Sequence, residues 1–162
     1  MPPDNSVVME GVQIIFRNFV GRPGPFNQEG DRNFGVLLSD DVAEMMDQDG
    51  WNVKMLQPRD DHEEETEPKP WLPCFLKYHG RNGPVRPPLV VQITSRGRVH
   101  LGEDDIESLD FADITNVDLI VRPFAWDING KTGIKAMVKS MFVTIEEDYL
   151  ERKYAEMERD AE

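Results

Sequence analysis

Arg122, Phe124, Trp126, Lys135, Met137 and Lys139 lie at alternating positions in two long β-type runs, residues 117–128 and 131–145. Asn129-Gly130 separates the runs. Both residues tolerate the positive φ of a type I′ turn, so the pair predicts a tight hairpin. A two-residue turn fixes the register: Ile128 opposes Lys131, Phe124 opposes Lys135, Arg122 opposes Met137 and Ile120 opposes Lys139. Period-two alternation then puts the six residues on one face. The other face carries Val117, Leu119, Val121, Ala125, Ile134, Ala136, Val138 and Phe142, an apolar set suited to a core. Cations beside flat or soft apolar groups are what a single-stranded nucleic acid requires. Lysine and arginine neutralise phosphates, and exposed rings stack on bases for about 1–3 kcal/mol each with little regard to base identity. The same pairing recurs in Arg17 with Phe19, and in Trp71, Phe75 and Lys77 on one face of their strand. The competing account is structural: Phe124, Trp126 and Met137 pack beneath a helix or loop while lysine stems snorkel over them.

Residues suited to covalent or metal chemistry are few. His62, His79 and His100 are scattered without ligand spacing, and the single cysteine, Cys74, excludes a disulfide framework and a multi-cysteine zinc site. On a strand, with no base or helix N-terminus beside it, Cys74 reads as a small core residue. Gly21-Arg22-Pro23-Gly24-Pro25 has glycines but no following helix and no Lys-Ser/Thr, so it is not a phosphate loop. Glu103, Asp104, Asp105, Glu107 and Asp110 could hold magnesium or manganese as in a metal-dependent nuclease. The alternation and central glycine of a calcium loop are absent there, and a solvated helix start accounts for these acids. No catalytic residue, metal or cofactor is expected.

The elements that must position the hairpin follow from periodicity and breakers. Residues 7–20 read as one long strand, with Val8, Val12, Ile14 and Phe16 on one face and Gln13, Arg17 and Phe19 on the other. Gly21 and Pro23 stop it. A strand at 32–38, a short helix at 40–49 ended by Gly50, and a strand at 51–57 come next. Residues 58–70 hold six acids and three prolines and predict a mobile loop. Strands at 71–78, 89–94 and 98–101 follow, the last two joined by a turn at Ser95-Arg96-Gly97. One or two helical turns at 103–112 bury Ile106 and Leu109. After the hairpin, Thr144 and Glu147 resemble a capping box, and Leu150, Tyr154 and Met157 have helical spacing, so an acidic helix closes the chain. Many strands and few short helices predict a mainly β protein, a small barrel or sandwich.

The length, 162 residues, suits one domain, and no apolar run is long enough to span a membrane. The first residues lack the pattern of a secretory signal, and a cytoplasmic protein is expected. Net charge is −13, which at first argues against a nucleic acid. Its distribution reverses that argument. Residues 68–102 contain six cations and no acid, and residues 119–145 contain four cations and one acid, so these two stretches carry +9 and the remainder −22. Attraction depends on charge within roughly 10 Å at 0.1 M salt, so a basic surface with acidic appendages still draws an anion.

The opening strand at 7–20, the hairpin from Asp118 through Asn129-Gly130 to Ala136, the strand after it and the acidic segment 146–162 together resemble the bacteriophage single-stranded-DNA-binding proteins with an OB fold. The resemblance implies an OB-like barrel over residues 1–145 that binds single strands on basic and aromatic strand faces, with no chemistry. It implies work in phage DNA replication, recombination or repair in the host cytoplasm. It also implies an acidic C-terminal segment that contacts replication or recombination proteins and competes with DNA, and it allows a homo-oligomer. Here the tail is interrupted by Arg152, Lys153 and Arg159 and ends without an aromatic residue, and the acidic loop 58–70 has no assigned counterpart. The rival expectation is an acidic interaction or structural module whose −22 of peripheral charge meets a basic partner, with the hairpin face buried.

Overall fold

Asn129 and Gly130 adopt φ of 53° and 81°, and the chain reverses across them into two fifteen-residue strands. The computed structural model describes residues 5–23, 31–56, 68–78, 86–146 and 157. In chain order these form β1 (Val7–Val12), β2 (Ile14–Asn18), β3 (Arg32–Leu37), α1 (Asp40–Gln48), β4 (Lys54–Leu56), β5 (Lys69–Leu76), β6 (Leu89–Thr94), β7 (Gly97–Leu101), a 3-10 turn (Ile106–Asp110), β8 (Ile114–Ile128) and β9 (Lys131–Ile145). The protein is mainly β, as its alternation predicts. The expected loop at 58–70 falls on undescribed residues except at its end, where β5 already begins at Lys69 and pairs with Leu56. The expected C-terminal helix also lies outside the described residues, Met157 apart.

The strands form one sheet in the order β1-β8-β9-β5-β3-β2, with β4 on β5 and the β6–β7 hairpin on β9. β1 and β2 stand at opposite ends of that order, yet only Gln13 separates them along the chain. The sheet must therefore roll up until its ends meet. The Gln13 carbonyl accepts the Leu37 N–H at 3.0 Å where they do. The single strand expected at 7–20 is thus two strands serving different edges. Gly11 takes φ +61° within the register break of β1, and Phe16 takes φ +52° within that of β2. These breaks undo the expected common face: Ile14 is buried, whereas Val8 and Phe16 are exposed.

From Ile128↔Lys131 to Val121↔Val138 the β8–β9 register is the one the turn predicts. Beyond it Ile120 opposes Ser140, not Lys139, which is the extra residue of a bulge. The bulge lies where β9 leaves one parallel partner, β5 (at Ala136 and Met137), and takes up another, β6 (from Ser140). It also flips the alternation: Met141 and Val143 enter the core and Phe142, expected inside, does not. The core is Phe34, Leu72, Leu119, Val121 and Met141 from the strands, with Ile106 and Leu109 of the 3-10 turn closing one side. α1 starts at Ser39, whose hydroxyl accepts the Val42 N–H, and ends before Gly50 at φ +95°. The strand expected at 51–57 contracts to Lys54–Leu56, because Trp51 is buried beside Ile134 in an isolated bridge.

Candidate nucleic-acid interface

β5 turns Leu72, Cys74 and Leu76 inward, which leaves Trp71 and Phe75 on its outer face, and Lys77 follows, exposed, just past the strand's end. Phe75 pairs with Met137 on β9, Met137 with Arg122 on β8, and Lys135 with Phe124. Neighbouring strands lie about 4.8 Å apart, so these side chains form a continuous patch across three strands. The patch surrounds a cleft of about 390 Å³ lined by Lys77, Arg86, Arg122 and Lys135 together with Phe124 and Met137. Among the described residues no carboxylate lines it, and none of the four cations is in an ion pair.

Lys135 sits with Nζ 4.0 Å from the centroid of the Phe75 ring. Burial lowers its proton affinity below that of an ordinary lysine, the Lys77 charge acts in the same direction, and Asp31 opposes them. The cost of holding two ammonium groups near each other is relieved by an anion placed between them. Phe124 stands 55% exposed beside these charges. Such a cleft can neutralise phosphate while offering a ring and a thioether to a base.

The remaining predicted residues divide. Trp126 is half-buried and lies across Gly133 of the paired strand, where a Cβ would come within 2.5 Å of its indole. Trp71 lies likewise across Gly35 and meets the Phe16 ring edge-on at 5.1 Å, away from the cleft. Lys139, on the bulge, is half-buried and does not line the cleft. Arg17 and Phe19 do not join this surface. The Arg17 guanidinium donates to the carbonyls of Leu109 and Ala112 at 3.0 and 2.7 Å, closing the end of the 3-10 turn. Phe19 is fully buried and stacks on Phe34 at 5.4 Å, because the break at Phe16 reverses the alternation that placed it outside. Arg86 is the cleft residue that strand patterning missed. It stands in a segment without periodicity, and only the acid-free composition of residues 68–102 marks it.

Three of the five acids of 103–110 are committed elsewhere. Glu103 pairs with Arg32 at 3.2 Å, Asp105 accepts the Gly102 N–H, and Asp110 accepts the N–H groups of Phe19 and Val20 at 2.8 and 3.0 Å. Cys74 is buried, and burial pushes its thiol well above the usual range. No helix among the described residues is long and apolar enough to cross a membrane.

Comparison with known proteins extends this geometry. Solved structures of the single-stranded DNA-binding protein from bacteriophage Enc34 share the fold. One, in complex with ssDNA, has a TM-score of 0.57 at 12% identity, covering 90% of this chain and 89% of that one. A C-terminally truncated form has a TM-score of 0.55 at 11% identity with the same coverage. No curated protein matches the sequence. A family model described as "Putative phage ssDNA-binding domain" matches residues 2–162. The chain, read from its rolled sheet to its cationic cleft, belongs to the phage ssDNA-binding domain family.

Proposed function

We propose that this protein binds single-stranded DNA without strong sequence preference, and without catalysing a reaction on it, through the outer faces of β5, β8 and β9. The observation that carries this assignment is the cleft in which Lys77, Arg86, Arg122 and Lys135 surround Phe124 and Met137, with no carboxylate among its described lining residues. Phosphates meet the cations, while a base rests on Phe124 and its neighbours; Trp126 extends the same face toward the hairpin tip. The exposure of Phe124 favours this account over the packed hairpin face that a purely acidic interaction module requires. Protection of exposed strands during phage replication, recombination or repair is the role such binding serves.

The test is fluorescence anisotropy of a labelled oligo-dT of about 30 nucleotides beside the matching duplex, at low and then moderate salt. Salt-sensitive binding of the single strand in preference to the duplex is expected. Replacing Arg122 and Lys135 together by Ala lowers the slope of log K against log salt by about 1.4, since each phosphate contact on a single strand contributes about 0.7. Absence of binding by the folded protein at low salt overturns the proposal.

A further inference from the structure

Phe16 combines two unfavourable features. Its backbone sits at φ +52°, a conformation that costs an L-residue about 1–2 kcal/mol. Its ring is 56% exposed, although the next turn of chain buries Phe19 completely. Extended geometry at residue 16 would continue the alternation begun by the buried Ile14 and send this side chain inward too. The left-handed residue, within the register break between Ile15 and Asn18, holds the ring on the outer face instead, edge-on to Trp71 at 5.1 Å and 63°. Trp71 is itself pressed against the sheet: a Cβ on Gly35 would lie 2.6 Å from its Cε3 atom, so only glycine lets the indole lie there. Lys54, the register partner of Trp71 on β4, places Nζ 5.8 Å from the indole centroid.

We infer that Phe16, Trp71 and Lys54 form a second stacking subsite for the DNA strand that occupies the cleft, an inference that rests on the function proposed above. The occupant is identified by chemistry and continuity. Two rings at an angle present a π face to a base, and Lys54 supplies a cation for an adjoining phosphate. Trp71 shares the outer face of β5 with Phe75, and four residues of strand separate the two by about 13 Å. That distance corresponds to about four nucleotides at the 3.4 Å rise of a stacked strand, and to fewer in a stretched one. A strand of four nucleotides fills the cleft or the platform, whereas one of about twelve engages both. Strain kept at an exposed position is the signature of a site whose geometry serves a ligand.

Phe16→Gly tests this, because glycine relaxes the backbone while removing the ring, and Phe16→Asn provides a second variant that tolerates positive φ. Affinities for oligo-dT of about 4 and about 12 nucleotides are measured by competition against a labelled 12-mer, with thermal unfolding alongside. Expected are an unchanged or raised unfolding midpoint, a loss of about tenfold for the 12-mer, and a 4-mer affinity within about twofold of the parent, corresponding to one stacked base. An unchanged 12-mer affinity, an equal loss at both lengths, or a lowered midpoint in both variants overturns the subsite while the parent's binding of oligo-dT still upholds the cleft. A parent protein that binds neither length nor a 30-mer removes both together.

Discussion

Arg17 with Phe19, two residues apart on one segment, and Lys135 with Phe75, on the neighbouring strands β9 and β5, are each a cation near an aromatic ring, yet the fold uses them oppositely. At the first corner every charge is consumed: Arg17 closes the carbonyls of Leu109 and Ala112, Asp110 closes the N–H groups of Phe19 and Val20, and the ring is core. At the second, Lys135 rides over Phe75 beside Lys77, Arg86 and Arg122 with no carboxylate among the described cleft-lining residues. A basic residue beside an aromatic one is therefore not in itself a nucleic-acid signal. What distinguishes the two is hydrogen-bond accounting. Buried backbone groups must be paired, so a cation near an irregular turn is taken by carbonyls, whereas a cation on a regular strand finds the backbone already paired and keeps its charge for a ligand.

The contrast can be broken most forcefully at the two phenylalanines. Phe19→Ala is expected to cost about 3–5 kcal/mol in denaturant unfolding, whereas Phe124→Ala stays within about 0.5 kcal/mol of the parent. The positions exchange places in a binding titration, where Phe124→Ala weakens oligo-dT by about 1–3 kcal/mol. The arginines sharpen it further. Arg17→Ala costs about 2 kcal/mol of stability by stripping two carbonyls of a charged donor and leaves the salt slope of binding unaltered, while Arg122→Ala lowers that slope by about 0.7 with little change in unfolding.

Lys135→Met should lower the slope by a similar amount and raise stability at neutral pH. The native Lys135 holds its proton less tightly than the unfolded chain does, so the parent gains stability as pH rises from the native value through the usual lysine range. The Met variant lacks that gain, which unfolding melts against pH measure. The smallest effect concerns Tyr78, whose buried hydroxyl finds no hydrogen-bond partner among the described residues. Burial raises its pKa to about 12, with Arg32 lowering and Glu103 raising it. Its contribution is present below about pH 10 and lost as pH climbs from there through 12. Tyr78→Phe should add about 1 kcal/mol and flatten that alkaline decline, as read by thermal melts at several pH values.

Much of the cleft was legible because it is local. Asn129-Gly130 dictates a turn, the turn dictates a register, and the register alone brings Arg122, Phe124, Lys135 and Met137 together. Phe75 and Lys77 followed from the alternation of one strand. What the pattern concealed depends on long-range partners. The bulge at Lys139 occurs where β9 exchanges β5 for β6, an event not encoded near residue 139, and it moved Ile120 and Phe142 off their expected places. The split of residues 7–20 follows from the need of β1 and β2 to reach opposite ends of the strand order, and it took Phe19 inside and left Phe16 outside. Arg86 has no strand period to reveal its direction.

The Gln13 junction has a further consequence. Because β1 pairs with β8 and β2 with β3, a covalent link of one residue fastens the cylinder where a hydrogen-bonded ladder would otherwise run. The length of that link decides how tightly the two edges are coupled. At one residue, β1 cannot leave β8 without pulling on β2, so the seam opens as a unit. Several glycine and serine residues inserted after Gln13 would let β1 detach while the β2–β3 pair stays closed, a difference that amide exchange on β1 against β3 would read.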